Sequence, residues 1–192
     1  YAPKNFDINN VNYKTERLFY TKENALIIDK IRNFIEIEYP LENISDNNLK
    51  IRNLLLANLI YEAATHTNTS GVFKACHKGF GGHGKDALKR ITEKIKLSPP
   101  VLEDSIYQAH IFQQDANILV NQIKNIDIAY LDPPYNQHQY GSNYHLLNTI
   151  AKWDKLPANL DLDQNGQLKE KAAIRPDWIK TKSPYCYKKE AV

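Results

Sequence analysis

The sequence predicts an α/β fold with a helical portion attached, and three observations carry that expectation. Residues 126–131 are a short run rich in Ile, Tyr and Leu that stops before Pro133 and Pro134. Its length and content are those of a strand, and the prolines end it because neither has an N–H for a ladder. Residues 106–113 alternate imperfectly and read as a second strand. Between them Asp115 is placed to cap a helix expected over 116–123. Strand, short helix and strand make a β-α-β unit, whose strands should be parallel. Asp115 and Asp132 then both open on the carboxyl edge of the sheet, where ligands bind in open α/β folds.

The helical portion comes first. Residues 1–20 are polar and irregular, with an extended stretch open at 17–20. Thr21 is placed to cap a helix over 22–39, with Leu26, Ile27, Ile31, Phe34 and Ile35 at helical spacing and Pro40 beyond its end. Ser45 is placed to cap a second helix over 46–65, with Leu49, Leu55, Leu56, Leu59, Ile60 and Ala63 on its apolar side. Together they make a helical hairpin whose first role is packing. Residues 65–70 are turn formers, and 71–77 fit a short strand or a loop.

The next stretch is rich in glycine and cations. Gly79, Gly81 and Gly84 match a dinucleotide-binding pattern, and Gly79, Gly84 and Lys85 match the start of a phosphate loop. Neither match has its context. No buried strand precedes the first, and Asp86 replaces the hydroxyl that the second needs. A flexible loop is expected instead, with Asp86 capping a helix over 87–96. From Lys74 to Lys96 there are seven Lys or Arg residues against Asp86 and Glu93. Lys78, Lys85 and Lys89 are the candidates for contact with a phosphate backbone. A solvated helix face explains the same charges, and such contacts would position a nucleic acid without reading its sequence.

After Pro134 come Tyr135 and a polar, aromatic loop with Asn136, His138, Gln139 and Tyr140. A helix is expected from Ser142 or Asn143 to Trp153, with Tyr144, Leu147, Ile150 and Ala151 inward. Beyond it Asp161 to Gly166 has a loose likeness to a calcium loop. Ala172 stands where the bidentate Glu should be, so no calcium site is expected. The rest of the tail reads as loop, partly mobile, with 175–178 docking on the body or on substrate. The organisation is then a mainly helical region with a basic glycine loop (1–105), a β-α-β segment (106–153) and a loop-rich tail (154–192).

Asp132-Pro133-Pro134-Tyr135, with the run before it and the Asn-Gln-His-Gln-Tyr loop after it, resembles the DPPY motif of DNA adenine-N6 methyltransferases. The stretch 128–153 is similar to a bacterial restriction–modification subgroup of that family. The resemblance is clear from about 106 to 153 and weaker over 1–73. It implies a Rossmann-like, S-adenosylmethionine-dependent methyltransferase core with a helical insertion. It implies S-adenosylmethionine as cofactor, double-stranded DNA with a flipped adenine as substrate, a cognate restriction endonuclease as functional partner, and no metal. By the resemblance Asp132, Pro133, Pro134 and Tyr135 are catalytic, and Asp115 binds the amine of the cofactor's adenine. The loop residues Asn136, His138, Gln139 and Tyr140 then border the target base.

The chemistry calls for these residue types. The adenine N6 lone pair is delocalised into the ring, so the amine is a poor nucleophile. Acceptors on its two N–H groups return density to nitrogen. The Asp132 carboxylate and the Pro133 carbonyl can serve, and Tyr135 can stack on a base turned out of the duplex. Positioning and preorganised dipoles supply the rate.

The chain has 192 residues, 42% hydrophobic and 24% charged, with a net charge of +3. No apolar run approaches about 18 residues, so no membrane span is expected. Cys76 and Cys186 lack metal spacing and read as reduced thiols of a cytoplasmic protein. Methionine is absent, as is any glycine before residue 70, where the resemblance calls for a Phe-x-Gly-x-Gly cofactor loop. The chain therefore reads as the middle of a methyltransferase. Two alternatives stay open: a catalytically silent DNA-binding remnant without the cofactor loop, and a methylase of RNA or of protein glutamine. The second ranks last, because those relatives usually carry Asn in place of Asp132.

Overall fold

The computed structural model describes residues 1–134, 137–156, 160–169, 174–180 and 182–187. Helix α1 (Lys22–Glu38) begins where the Thr21 side chain accepts the Asn24 N–H, and α2 (Asp46–Thr65) where the Ser45 hydroxyl accepts from Asn48. Each cap supplies an acceptor to one of the free N–H groups of a first turn. Helices α1 and α2 pack on each other, and α2 also packs on α6 (His145–Lys152).

The buried stripe of α1 is Asn24, Ile28, Arg32 and Ile35. It differs from the expected apolar stripe: Leu26 and Phe34 face solvent. Two polar members explain the shift. Asn24 donates to the carbonyls of Ile91 (3.2 Å) and Glu93 (2.8 Å) and accepts the Ile95 N–H at 3.0 Å. Arg32, wholly buried, donates through Nε to the Ile150 carbonyl at 2.8 Å and through Nη2 to Glu36 at 2.6 Å. Arg52 of α2 reaches the same Glu36 oxygen and the Ile35 and Tyr39 carbonyls. The Arg32 guanidinium thus meets the carboxyl-terminal carbonyls of α6, where a cation is favoured, and lies over the Trp153 ring at 5.3 Å.

Around this frame Phe19, Tyr20, Ile28, Leu59, Ala63, Phe73, Ile95, Leu146 and Ile150 form one apolar cluster. Leu18, Phe80 and Ile91 form another. Each large side chain withdrawn from water here contributes about 1.5–3 kcal/mol. The Tyr20 hydroxyl, inside the cluster, donates to the Ala63 carbonyl at 3.1 Å.

Three expectations about the middle of the chain are corrected. Residues 106–113 and 126–131 form no strand, and among the described residues the sole β pairing is an isolated antiparallel bridge between Leu162 and Leu168. The side chains of a buried strand are in water instead: Ile128 is 87% exposed and Leu131 84%. A parallel strand pair is stable only when neighbours pair its edges and helices cover its faces. Within the described residues only α4 (Ala116–Gln122) lies between the two runs, and it buries nothing. The expected helix 87–96 is only α3 (Leu88–Thr92), with Ala87 at the N-cap position and no side-chain cap from Asp86. It stops because Asn24 captures the backbone of Ile91, Glu93 and Ile95 in an extended path.

The helix expected from 142 is two helices, α5 (Tyr140–Asn143) and α6, meeting at Tyr144. The break changes the phase: His145, Leu146 and Ile150 point inward, and Tyr144 points out. The tail is docked where it is described. Leu168 donates to the Lys14 carbonyl at 2.7 Å, and Arg17 reaches the Lys169 carbonyl. Arg175 bonds Asp154 at 2.6 Å, and α7 (Pro176–Lys180) packs on α5, with the Trp178 indole donating to Thr149 of α6 at 3.2 Å. Among the described residues no helix is long and apolar enough to cross a membrane.

Candidate functional site

Asp132, Pro133 and Pro134 lie in irregular backbone, with Asp132 and Pro133 exposed. Tyr135 and Asn136 lie outside the described residues. Upstream, the Asp115 cap forms as expected: its Oδ1 accepts the Asn117 N–H at 2.8 Å. The two carboxylates do not share a sheet edge, because no sheet forms among the described residues.

The cofactor that the sequence resemblance implies, S-adenosylmethionine, would need an acceptor for its adenine amine. Asp115 is exposed, and its cap engages Oδ1. A carboxylate has two oxygens, so Oδ2 can accept from an amino group while the cap stays made. That fits one hydrogen bond to the adenine amine of the cofactor. The cavity of about 560 Å³ in the helical core is a separate place, lined by Tyr20, Ile28, Asp29, Leu146, Ile150 and Trp153 among others, and by neither Asp115 nor Asp132.

Downstream of the motif the loop is held by the tail. The Gln139 amide donates to the Ser183 carbonyl at 3.2 Å and accepts the Ser183 N–H at 2.7 Å. The Cys186 thiol points at the His138 carbonyl, and the Tyr185 hydroxyl reaches Asn117 in α4. Gln139 therefore spends both ends of its amide inside the protein. His138 and Tyr140 remain exposed.

The basic loop is anchored at its base, contrary to the flexible loop expected. Asn68, wholly buried, donates to the carbonyls of Leu18 (3.0 Å) and Gly79 (3.1 Å) and accepts the Gly81 N–H at 3.1 Å. Its own carbonyl accepts from His77 at 3.0 Å. Phe80 is buried against Leu18 and Ile91. Gly81 has φ +93°, and a Cβ there would stand 3.0 Å from Leu88 Cβ, so this turn requires glycine. Lys78, Lys85 and Lys89 stay exposed around the anchored base, and Lys78 lies 5.5 Å from the Tyr13 ring centre. Sequence reasoning missed Asn68, because a run of Thr and Asn reads as a surface turn whether it is buried or not. It also missed His145, which is wholly buried with both ring nitrogens lacking a hydrogen-bond partner. Burial pushes its imidazole down to about 4, while the Phe73 carbonyl nearby acts in the other direction.

Comparison with known proteins now places the chain. A family model for D12 class N6 adenine-specific DNA methyltransferases matches residues 2–161. The chain belongs to that family. It is 36% identical over 175 residues to the Type II methyltransferase M.FokI of Planomicrobium okeanokoites, covering 91% of this chain and 24% of that protein. It is 39% identical over 140 residues to the Type II methyltransferase M.NlaIII of Neisseria lactamica, covering 73% of this chain and 39% of that protein. It is 36% identical over 159 residues to the modification methylase LlaI of Lactococcus lactis subsp. lactis, covering 80% and 24%. The chain thus spans between about a quarter and two fifths of the length of these relatives. No solved structure matches.

Proposed function

We propose that this chain is the part of a site-specific DNA methyltransferase that presents adenine N6 for methylation in a restriction–modification system. The observation that carries the reading is the Asp132-Pro133-Pro134 turn, within the stretch that matches the adenine-N6 family. When bound, S-adenosylmethionine supplies an electrophilic methyl group. This chain's residues do the rest. A base inside a duplex is out of reach, so the target adenine is turned out. Asp132 accepts one N6 hydrogen and the Pro133 carbonyl the other, which localises the lone pair on nitrogen. After transfer, nitrogen carries a surplus proton, and the Asp132 carboxylate receives it. Pro134 stiffens the turn, Tyr135 stacks on the base, and Asn136 and His138 border it. Asp115 holds the amine of the cofactor's adenine. Lys78, Lys85 and Lys89 meet the phosphate backbone.

The family supports DNA over RNA or protein as substrate, and a cytoplasmic site of action agrees with it. The test is transfer of a labelled methyl group in parallel to duplex DNA, RNA and protein. Label in DNA alone is expected; label in RNA or protein overturns the reading. A second reading is favoured by one observation, the exposure of every residue of 98–133 except the half-buried Leu119: a DNA-binding remnant with no transfer. DNA binding without any cofactor affinity would establish it.

A further inference from the structure

We infer that Tyr144, set against Tyr140 and Phe73, is a stacking platform for an unstacked nucleobase of the DNA substrate. The inference rests on the proposed function and adds a residue to it. Tyr144 occupies the junction of α5 and α6 with φ −104° and ψ 13°. The break turns its ring out of the core, leaving Tyr144 42% exposed and Tyr140 43% exposed. Their rings meet edge to face at 5.5 Å and 75°. Phe73 supports Tyr144 from below at 5.8 Å and 40° and is itself buried.

The arrangement is rigid. The next two residues, His145 and Leu146, are wholly buried, and the His145 ring packs edge to face on Phe19 at 5.7 Å. An exposed ring on a fixed backbone loses little freedom when a base stacks on it, because its own ordering is already complete. The occupant follows from charge. Phe73 opens the segment that continues through Lys74 and Lys78 to the exposed Lys85, and Asn68 holds that loop in place. Aromatic faces and cations on one connected segment suit the two parts of a nucleic-acid strand, stacked bases and phosphates. Tyr144 also lies ten residues past Pro134 in the chain, on the helix pair that follows the motif.

The test combines fluorescence anisotropy with photocross-linking, using the full chain and a labelled oligonucleotide carrying 5-iodouracil next to one adenine. In the native chain the cross-link is expected at Tyr144. Tyr144→Phe should bind as the native chain does, since the ring is kept. Tyr144→Leu should raise Kd by about tenfold without changing its salt dependence, whereas Lys85→Ala should lower the salt slope by about 1. A native Kd in Tyr144→Leu, or cross-links that avoid Tyr144, overturns the platform and leaves the methyltransferase reading standing. Failure of the native chain to bind DNA overturns both.

Discussion

The Asn68 side chain accepts the backbone N–H of Gly81 at 3.1 Å, and this bond fixes the base of the basic loop to the helical core. Asn68 also donates to Leu18 and Gly79, so one buried amide ties together the segment before α1, the end of α2 and the glycine turn. The loop carries its lysines on a frame that is already hydrogen-bonded to the core.

Asn68→Ala removes all three side-chain bonds and leaves the carbonyls of Leu18 and Gly79 and the N–H of Gly81 without them. The cost should be about 2–4 kcal/mol, on the order of one desolvation penalty per stranded group less what water recovers. Denaturant titration measures the loss, and amide exchange at Gly81 should quicken more than exchange in α1. Equal acceleration everywhere would mean that Asn68 supports the whole fold and not the loop.

Arg32→Ala takes one of two arginine partners from the half-buried Glu36, leaving it Arg52, and strips the last turn of α6 of its cation. The lost hydrogen bonds to the Ile150 carbonyl and to Glu36 should cost about 1.5–3 kcal/mol. Because the guanidinium sits over Trp153, the fluorescence of that indole should change in the folded variant. Arg32→Met, which refills the volume without the charge, should recover part of the stability.

His145 makes stability depend on pH. Burial lowers its folded value to about 4 from an ordinary 6.5. The unfolded ring therefore takes up a proton that the folded ring declines. Stability is complete above pH 6.5 and falls as the pH drops toward 4, by up to about 1.4 kcal/mol per pH unit. Urea midpoints at pH 7 and pH 5 measure this. His145→Phe keeps a ring against Phe19 and should remove this contribution to the slope.

What the sequence disclosed was local. Both long helices begin at the expected caps, Thr21 and Ser45, and end within a residue of the expected place, because hydroxyl caps and helical spacing act over a few residues. The Asp115 cap is legible for the same reason. The buried stripe of α1 was not, since Asn24 and Arg32 look like surface residues until their distant carbonyl partners are known. Nor could the pattern at 106–131 reveal whether its strands would form: a strand needs a neighbour, and a single-chain pattern shows only that a segment could accept one. Of the candidate site, the sequence named Asp115, the residues from Asp132 to Tyr140 and the lysines. It placed Tyr144 inward, and the break between α5 and α6 turns that ring out.

The most direct measurement of the central claim is nucleoside analysis of duplex DNA incubated with S-adenosylmethionine and either the native chain or Asp132→Ala. The account predicts N6-methyldeoxyadenosine with the native chain and none with the variant. Methylated cytosine, no methylated base from the native chain, or equal N6-methyldeoxyadenosine from both would contradict it.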